Sequence, residues 1–299
     1  MGGASGTARE DNRSIMAEEK KQGGCPSGKS CSECGGACAQ DEQRLHENLS
    51  RIKHIILVMS GKGGVGKSTV AVNLATSLAL EGYGTGIMDV DFHGPSVPKM
   101  LQLEGEQLMG EGEWILPVEK GALKVMSIGF TLPSPDHAVI WRGALKYNVI
   151  RQFLAEVKWG DLDYLVIDAP PGTGDEPLTV CQMLPHADGA VVVTTPQQVA
   201  ASDVSKSLDF LRQLNFPVLG IVENMSGFAC PHCGEVTEIF SSGAGEQLAS
   251  QYGVPFLGKI PIDPAICQCG DSGKPFAYSI AKTATGKAFA EIVARLGGQ

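Results

Sequence analysis

Two cysteines three positions apart, Cys230 and Cys233, lie in the segment ACPHCG, residues 229–234. Thiolate sulfur is a strong ligand for zinc and for iron, and zinc or iron–sulfur sites usually have four protein ligands. The pair therefore supplies half of a metal site. Cys267 and Cys269 are candidates for the other half within the same chain.

A second group of cysteines lies near the N-terminus, spaced C-x5-C-x2-C-x3-C. Residues 1–50 are rich in Gly, Ser, Lys and Glu and contain almost no large apolar residue before Leu45, so they cannot form a hydrophobic core. We predict a flexible tail over 1–50 that binds a metal, with a [4Fe–4S] cluster favoured over zinc and free redox-sensitive thiols as the alternative. Its ligands would be Cys25, Cys31, Cys34 and Cys38.

The segment GKGGVGKST, residues 61–69, fits the phosphate-binding pattern G-x-x-x-x-G-K-[ST]. It follows an apolar strand and opens a helical stretch, so backbone N–H groups and the helix N-terminus would surround a phosphate. Lys67 is expected to reach the β- and γ-phosphates, and the Ser68 hydroxyl to bind Mg²⁺. The predicted nucleotide-binding residues are Gly61, Lys62, Gly63, Gly64, Val65, Gly66, Lys67, Ser68 and Thr69.

Three aspartates fall at or just beyond the ends of predicted strands. Asp89 and Asp91 close the stretch MDVD, and Asp168 closes the buried stretch YLVID. Ligands of open parallel sheets bind at the carboxyl ends of the strands. We therefore predict that these carboxylates surround the phosphates, with Asp168 holding the water shell of the Mg²⁺.

The chain from residue 51 to 299 is predicted to be one α/β domain. Seven short apolar segments rich in Val and Ile alternate with helical stretches, which indicates a mainly parallel sheet of about seven strands with helices on both faces. Residues 101–121 have weak periodicity and are expected to be irregular. A terminal helix over 283–296 is expected to dock on the core. The predicted strands cover 53–59, 85–90, 122–128, 163–169, 189–195, 217–223 and 255–261.

Composition narrows the class of protein. Of 299 residues, 43% are hydrophobic and 19% are charged, and the net charge is −9. This acidic balance argues against binding to nucleic acid, and the lack of a long apolar run argues against a membrane span. The sequence has nine cysteines and shows no export signal. This combination favours metal or redox chemistry over disulfides, and it predicts a cytoplasmic location.

Beyond the single motifs, the sequence resembles the deviant Walker A ATPases, whose phosphate loop carries the additional lysine seen here as Lys62. Within that superfamily it is identified as similar to the Mrp/ApbC-type iron–sulfur cluster carriers over residues 52–280. The matching blocks include DVDFHGPSVP, WGDLDYLVIDAPPGTGDEPLT and GIVENMSGFACPHCG. The resemblance implies a P-loop NTPase fold.

The resemblance also implies roles for individual residues. Lys62 would cross a dimer interface to the nucleotide of the partner, and Asp91 would orient the attacking water, so that Lys62, Lys67 and Asp91 form the catalytic set. Asp89 would lie near the metal. Asn224 would contact the adenine base.

Two further positions follow from the same resemblance: Pro261 and Asp263 lie in a loop that would close the base pocket.

The resemblance implies a homodimer, or a heterodimer with a related carrier. In that dimer Cys230 and Cys233 of two copies supply four thiolates to one [4Fe–4S] cluster. ATP with Mg²⁺ would be hydrolysed slowly, in step with the dimer state, and the cluster would pass to apo iron–sulfur proteins.

This sequence also departs from the family pattern. Ala144 and Leu145 stand where Pro-Met is expected, and Cys267 and Cys269 fall in a segment that usually has no cysteine. The tail resembles the N-terminal extension of the eukaryotic cytosolic carriers with a shorter spacing. Two alternatives stay open: a Min- or ParA-type positioning ATPase, and a P-loop ATPase with a structural zinc site formed by Cys230, Cys233, Cys267 and Cys269.

Overall fold

The computed structural model describes residues 37–132, 143–230, 233, 235–274 and 283–297. The chain divides into two units, residues 1–46 and 47–299. The predicted tail ligands Cys25, Cys31 and Cys34 lie outside the described residues. Cys38 belongs to the first helix, α1 (Ala37–Leu49).

A mixed sheet of nine strands forms the centre of the second unit. Its parallel strands are those predicted from the apolar segments, so the predicted mainly parallel sheet of about seven strands is confirmed. In chain order they are β1 (Ile52–Ser60), β2 (Thr85–Asp89), β6 (Leu123–Ser127), β7 (Leu162–Asp168), β8 (Gly189–Thr194), β9 (Val218–Ala229) and β11 (Phe256–Ile262). They lie side by side in the order β11-β9-β8-β1-β7-β2-β6.

Short antiparallel strands complete the sheet and form a separate hairpin. β5 (Val118–Lys120) pairs with β6, and β10 (Val236–Thr237) pairs with the end of β9. The hairpin consists of β3 (Met109–Glu111) and β4 (Trp114–Leu116). The expectation that residues 101–121 are irregular was therefore wrong in part. These strands have two or three residues with exposed or half-exposed side chains, too few for an alternating pattern to show.

Helices connect the parallel strands and cover the sheet. Alternate side chains of β1 point to opposite faces, and both sets are buried: Ile56 and Val58 on one face, Leu57 and Met59 on the other. Continuous apolar strands are thus explained by burial on both faces. The helices after α1 are α2 (Lys67–Leu80), α3 (Val97–Met100), α4 (Gly143–Ala155), α5 (Asp175–Met183), α6 (Gln198–Gln213), α7 (Ala244–Tyr252), α8 (Pro264–Asp271) and α9 (Ala284–Gly297).

The terminal helix α9 docks on the core, as predicted. Phe289, Ile292, Val293 and Leu296 are buried in the same apolar cluster as residues of α2 and β11. Among the described residues, none of the helices has the length and apolar character needed to cross a bilayer.

The buried side chain of Asn48, at the end of α1, is fixed by two hydrogen bonds. Its Nδ2 donates to the carbonyl oxygens of Leu154 at 2.7 Å and of Val157 at 2.9 Å. Both acceptors lie where α4 ends and the chain turns toward β7. The amide thus fixes the end of α1 to the end of α4. Since β1 begins four residues after Asn48 and leads into the phosphate loop, this contact also positions the start of β1.

We expect the substitution Asn48→Ala to lower the free energy of unfolding by about 1–3 kcal/mol, because it leaves two buried carbonyls without donors. Urea denaturation followed by circular dichroism measures the change. The control is Asn148→Ala on the exposed surface of α4, expected to change the stability by less than about 0.5 kcal/mol. Equal stability of the two variants would contradict the anchoring role.

Candidate functional site

The phosphate loop occupies the connection between the end of β1 and the first residue of α2. Gly64 and Gly66 have φ of 79° and 80°, the left-handed region that favours glycine. A Cβ at Gly66 would lie 2.3 Å from Asn224 Nδ2, and one at Gly61 would lie 2.4 Å from the backbone of Asp203. Two positions of the motif therefore need glycine because neighbouring elements pack directly against the loop.

Lys67, the first residue of α2, is buried among carboxylates. Its Nζ lies 2.5 Å from Asp168 Oδ1 and 3.5 Å from Asp91 Oδ2, and it donates to Ser68 Oγ at 3.3 Å. Burial by itself would lower the pKa of Lys67, but the charges of Asp168, Asp91 and Asp89 outweigh burial and raise it. Lys67 is therefore positively charged, and its ammonium group forms ion pairs with Asp168 and Asp91.

The structure brings the three predicted aspartates together. Asp89 and Asp168 end the neighbouring strands β2 and β7 and are directly paired in register. Asp89 is fully buried; its Oδ2 accepts from the Ser127 hydroxyl at 2.8 Å and its Oδ1 from the Asp91 N–H at 3.0 Å. Burial first, and then the charge of Asp168, raise the pKa of Asp89 to about 7.

Asp168 has the surroundings of a metal-site carboxylate. Burial raises its pKa, although Lys67 opposes this through its charge and hydrogen bond. Its second oxygen, Oδ2, is buried and has no hydrogen-bond partner among the described residues. Because Mg²⁺ prefers carboxylate and hydroxyl oxygens and retains several waters, this oxygen and the Ser68 hydroxyl fit the predicted Mg²⁺ site.

A cavity of about 530 Å³ opens beside the phosphate loop, within the usual size range of ligand sites. Asn224 is fixed at its edge, since its Nδ2 donates to the carbonyl of Val65 at 2.8 Å. The cavity brings together residues predicted from the motif and from the resemblance: Gly66, Thr69, Asn224, Pro261 and Asp263.

Sequence reasoning missed one wall of this cavity. Lys99 and Met100 come from the four-residue helix α3, and Ile266, Cys267 and Asp271 come from α8. The one local signal for α8 is Asp263, whose Oδ1 accepts from the Ala265 N–H at 2.9 Å as an N-cap followed by proline. For α3, the block DVDFHGPSVP ends at Pro98, inside the helix, and does not reach Lys99 or Met100.

Lys62 is partly exposed, in contrast to Lys67. Its carbonyl accepts from the Ser60 hydroxyl at 2.9 Å, which fixes the backbone at the start of the loop. Within the described parts of the chain, its ammonium group forms none of the ion pairs. The structure thus leaves this cation available at the edge of the site.

Cys230 and Cys233 lie in the turn that joins β9 to β10. The turn is closed by the Cys230 N–H, which donates to the Glu235 carbonyl at 2.9 Å. Cys233 is exposed and Cys230 is half-buried. β10 pairs only with Phe228 and Ala229 at the end of β9, so the turn lies at the carboxyl end of that strand.

The other two cysteines do not complete this site within one chain. Cys267 lines the nucleotide-side cavity, and Cys269 packs against the apolar core. In the described residues, groups of three or more metal-binding side chains are absent. The described structure therefore contains no four-cysteine zinc site within a single chain.

Known proteins similar to this chain show its family. Residues 51–297 match the family model described as the NUBPL iron-transfer P-loop NTPase. An iron–sulfur cluster carrier protein of Methanocaldococcus jannaschii is 49% identical over 273 residues, covering 91% of this chain and 93% of that protein. The cytosolic Fe-S cluster assembly factor CFD1 of Kluyveromyces lactis is 50% identical over 243 residues, covering 79% and 86%.

Solved structures show the same architecture. A nucleotide-binding protein of Archaeoglobus fulgidus in complex with ADP is 44% identical and superimposes with a TM-score of 0.71, covering 80% of this chain and 93% of that one. The cell division ATPase MinD of Pyrococcus furiosus is 24% identical with a TM-score of 0.61, covering 82% and 99%. The second likeness shows the fold alone.

The raised pKa of Asp89 predicts a pH-dependent stability in EDTA without nucleotide. Between about pH 4 and pH 7 the folded protein retains a proton that the unfolded chain has released, so the free energy of unfolding falls as the pH rises from 5 to 8. Asp89→Asn removes this titration. We expect the substitution to reduce that fall by at least about 1 kcal/mol.

Denaturant titrations at pH 5 and pH 8 measure the effect. The control is Asp161→Asn, an exposed carboxylate whose pKa is lowered by its hydrogen bond to Arg51 and which stays ionised across this range. Its pH dependence should equal that of the wild type. An unchanged pH dependence in Asp89→Asn would show that Asp89 does not titrate in this window.

Proposed function

The chain belongs to the NUBPL-type iron-transfer P-loop NTPases, and from that premise we propose that it is an ATP-dependent iron–sulfur cluster carrier. It would hold a [4Fe–4S] cluster between two subunits and pass it to apo-proteins. The observation that carries this proposal is the pair Cys230, half-buried, and Cys233, exposed, at the end of the strand that also carries Asn224 of the cavity beside the phosphate loop. Two such pairs would supply the four thiolates of a cluster. Relatives of high identity are named as cluster carriers and assembly factors.

The proposed nucleotide is ATP with Mg²⁺. Its phosphates would lie in the loop Gly61–Thr69, and its base in the cavity beside Asn224, Pro261 and Asp263. Ser68 and Asp168 would hold the Mg²⁺, with Asp89 in its outer shell; the ion would neutralise charge on the phosphate oxygens. Support comes from the unpartnered Asp168 Oδ2 and from the ADP complex of the related archaeal protein.

The buried ion pair of Lys67 would have to rearrange when ATP binds. Lys67 must leave Asp168 Oδ1, 2.5 Å away, before its ammonium can reach the β- and γ-phosphates. Asp91 is the proposed residue that orients water for attack on the γ-phosphorus as the bond to the β,γ-bridging oxygen breaks. Of the two lysines in the catalytic set, Lys67 is buried and Lys62 is partly exposed. We propose that Lys62 acts on the nucleotide bound to the partner subunit.

A second copy of this chain, or a related carrier, is the proposed source of the missing thiolates. One chain offers two thiolates at the β9–β10 turn, and a cluster of this type needs four. Val236, Ile239 and Phe240, which follow the turn, are apolar and exposed to 54%, 53% and 37%. An interface at the turn would bury this surface and exclude water from the cluster.

The four tail cysteines, Cys25, Cys31, Cys34 and Cys38, are proposed as a second cluster site. We place the protein in the cytoplasm, as the name of the cytosolic relative from Kluyveromyces lactis suggests. The positioning-ATPase alternative has less support, because that likeness extends only to the fold and leaves Cys230 and Cys233 without a role.

The proposed role of Lys62 in the partner predicts a specific kinetic result. Lys62→Ala should lower kcat for ATP hydrolysis at least tenfold, roughly the effect of removing one charge-stabilising donor, and more than it weakens ATP binding. Lys158→Ala, an exposed lysine paired with Glu111, is the control and should retain the wild-type rate.

Mixing two inactive variants distinguishes action on the partner from action within one chain. In a mixed dimer, the Lys62→Ala subunit binds ATP and receives Lys62 from a Lys67→Met subunit. Phosphate release should therefore recover on mixing. If mixtures stay as inactive as the separate variants, Lys62 does not act across the interface.

The interface cluster is tested by anaerobic reconstitution with ferrous iron and sulfide, in protein whose four tail cysteines are changed to serine. The parent should take up about four irons and four sulfides per dimer, with the EPR or Mössbauer spectrum of a [4Fe–4S] cluster. The double substitution Cys230→Ser and Cys233→Ser should abolish this uptake. The matched double substitution at Cys267 and Cys269 should retain it; the reverse pattern would refute the proposed ligands.

A further inference from the structure

Strand β9 is irregular between the nucleotide cavity and the cysteine pair. On the side of β11, Asn224 pairs with Ile260, but the next paired residue is Phe228, which pairs with Ile262. The three residues Met225–Gly227 therefore lie opposite the single residue Pro261. We call Met225–Gly227 the β9 bulge.

The backbone of the β9 bulge is strained. Met225 and Gly227 have φ of 56° and 78°, and the left-handed region is unfavourable for a residue with a side chain, such as Met225. Pro261 has no N–H with which to bond the bulge. This conformation persists because surrounding groups hold it.

A buried carboxylate holds the β9 bulge in place. Glu223 is 0% exposed, and its Oε1 accepts from the Ser226 hydroxyl at 2.6 Å. Its two oxygens also accept from the N–H groups of Gly245 at 2.7 Å and Gly243 at 3.3 Å, at the start of α7. Glu223 thus ties the middle of the bulge to a helix on the flank of the sheet.

One end of the bulge contacts the phosphate loop. The Asn224 amide donates to the Val65 carbonyl, and a Cβ at Gly66 would lie 2.3 Å from Asn224 Nδ2. Met225 lines the nucleotide cavity. A shift of Val65 and Gly66 on nucleotide binding would therefore displace the start of the bulge.

The other end of the bulge contacts β10, the strand that follows the Cys230–Cys233 turn. A Cβ at Gly227 would lie 2.7 Å from Val236 Cγ1, so Val236 packs directly on the backbone there. Ala229 pairs with Val236, and the next residue is Cys230. A change in the bulge would therefore change the position of β10 relative to β9.

We propose that the β9 bulge transmits the nucleotide state of the phosphate loop to the Cys230–Cys233 turn, with Glu223 and Ser226 as positioning residues. The contacts form one continuous path along a single strand, and packed, hydrogen-bonded elements of this kind can carry coupling between sites. The proposal rests on the nucleotide binding proposed above and needs no bound cluster. It assigns Ser226 a role in coupling and none in binding ATP.

The test uses the cluster-free full-length protein and the alkylation rates of Cys230 and Cys233 with iodoacetamide, followed by mass spectrometry with and without MgATP. In the wild type, saturating MgATP should change these rates at least about fivefold, the lower end of allosteric couplings. In Ser226→Ala the change should be below twofold, while the dissociation constant for ATP, measured by calorimetry, stays within about threefold of wild type.

The control is Ser241→Ala, which removes a hydroxyl that donates to the Pro196 carbonyl near the start of α7 and leaves the bulge untouched. It should respond as the wild type does. Glu223→Gln is the second variant should Ser226→Ala fail to fold, and it should lose the response likewise.

A full response to MgATP in both variants would overturn the proposal, as would a wild type that binds ATP without any change in thiol reactivity. Neither result affects the cluster-carrier function, which depends on iron and sulfide content. If the wild type did not bind ATP, calorimetry would detect this independently of the alkylation rates. That result would refute both the proposed function and the coupling.

Discussion

The structure depends on one buried lysine that opposes three carboxylates at the carboxyl edge of the sheet. Lys67 is 6% exposed, and Asp89 and Asp168 are 0% exposed. Burying charges is unfavourable unless they are paired and hydrogen-bonded, so the surrounding strands must hold these groups within a few tenths of an ångström. The register of β2 against β7, and the start of α2 directly after the glycine loop, satisfy that requirement.

This charge cluster also links stability to the nucleotide. Three acids against one lysine leave excess negative charge, and burial together with the charge of Asp168 raises the pKa of Asp89. In the proposed complex, Mg²⁺ would supply positive charge to the acids while phosphates take over Lys67. The phosphates alone would add to the excess negative charge of this buried site, so the proposed nucleotide would enter together with its Mg²⁺.

β9 connects this site to the surface where the thiols lie. The strand lies between β11 and β8, passes Glu223 and Asn224, and ends at the cysteine turn. Glu223 can be buried completely because its oxygens accept hydrogen bonds from the Ser226 hydroxyl and from the N–H groups of Gly243 and Gly245. Met225 of the cavity and Cys230 of the thiol pair are five positions apart on one backbone, so movement at one end would reach the other within a single strand and the turn that follows it.

The sequence by itself determined the parallel strands and the phosphate loop. Burial on both faces demands runs such as ILVM and YLVI, and phosphate binding demands glycines followed by Lys67; both are local signals. It also identified Asp89 and Asp168 as acids at strand ends. Short elements gave no such signal: β3, β4, β5, β10 and α3 have two to four residues, too few for a period to appear.

Only the tertiary structure decided which residues meet. It placed Cys267 at the nucleotide cavity, left the described chain without the four-cysteine zinc site, and brought Ser226 onto Glu223. It also showed that Gly66 is constrained by Asn224, 158 positions away along the chain. The physical reason is that residue types and spacing fix the chemistry and the element of each side chain, whereas contacts between distant segments are fixed by strand order, register and packing.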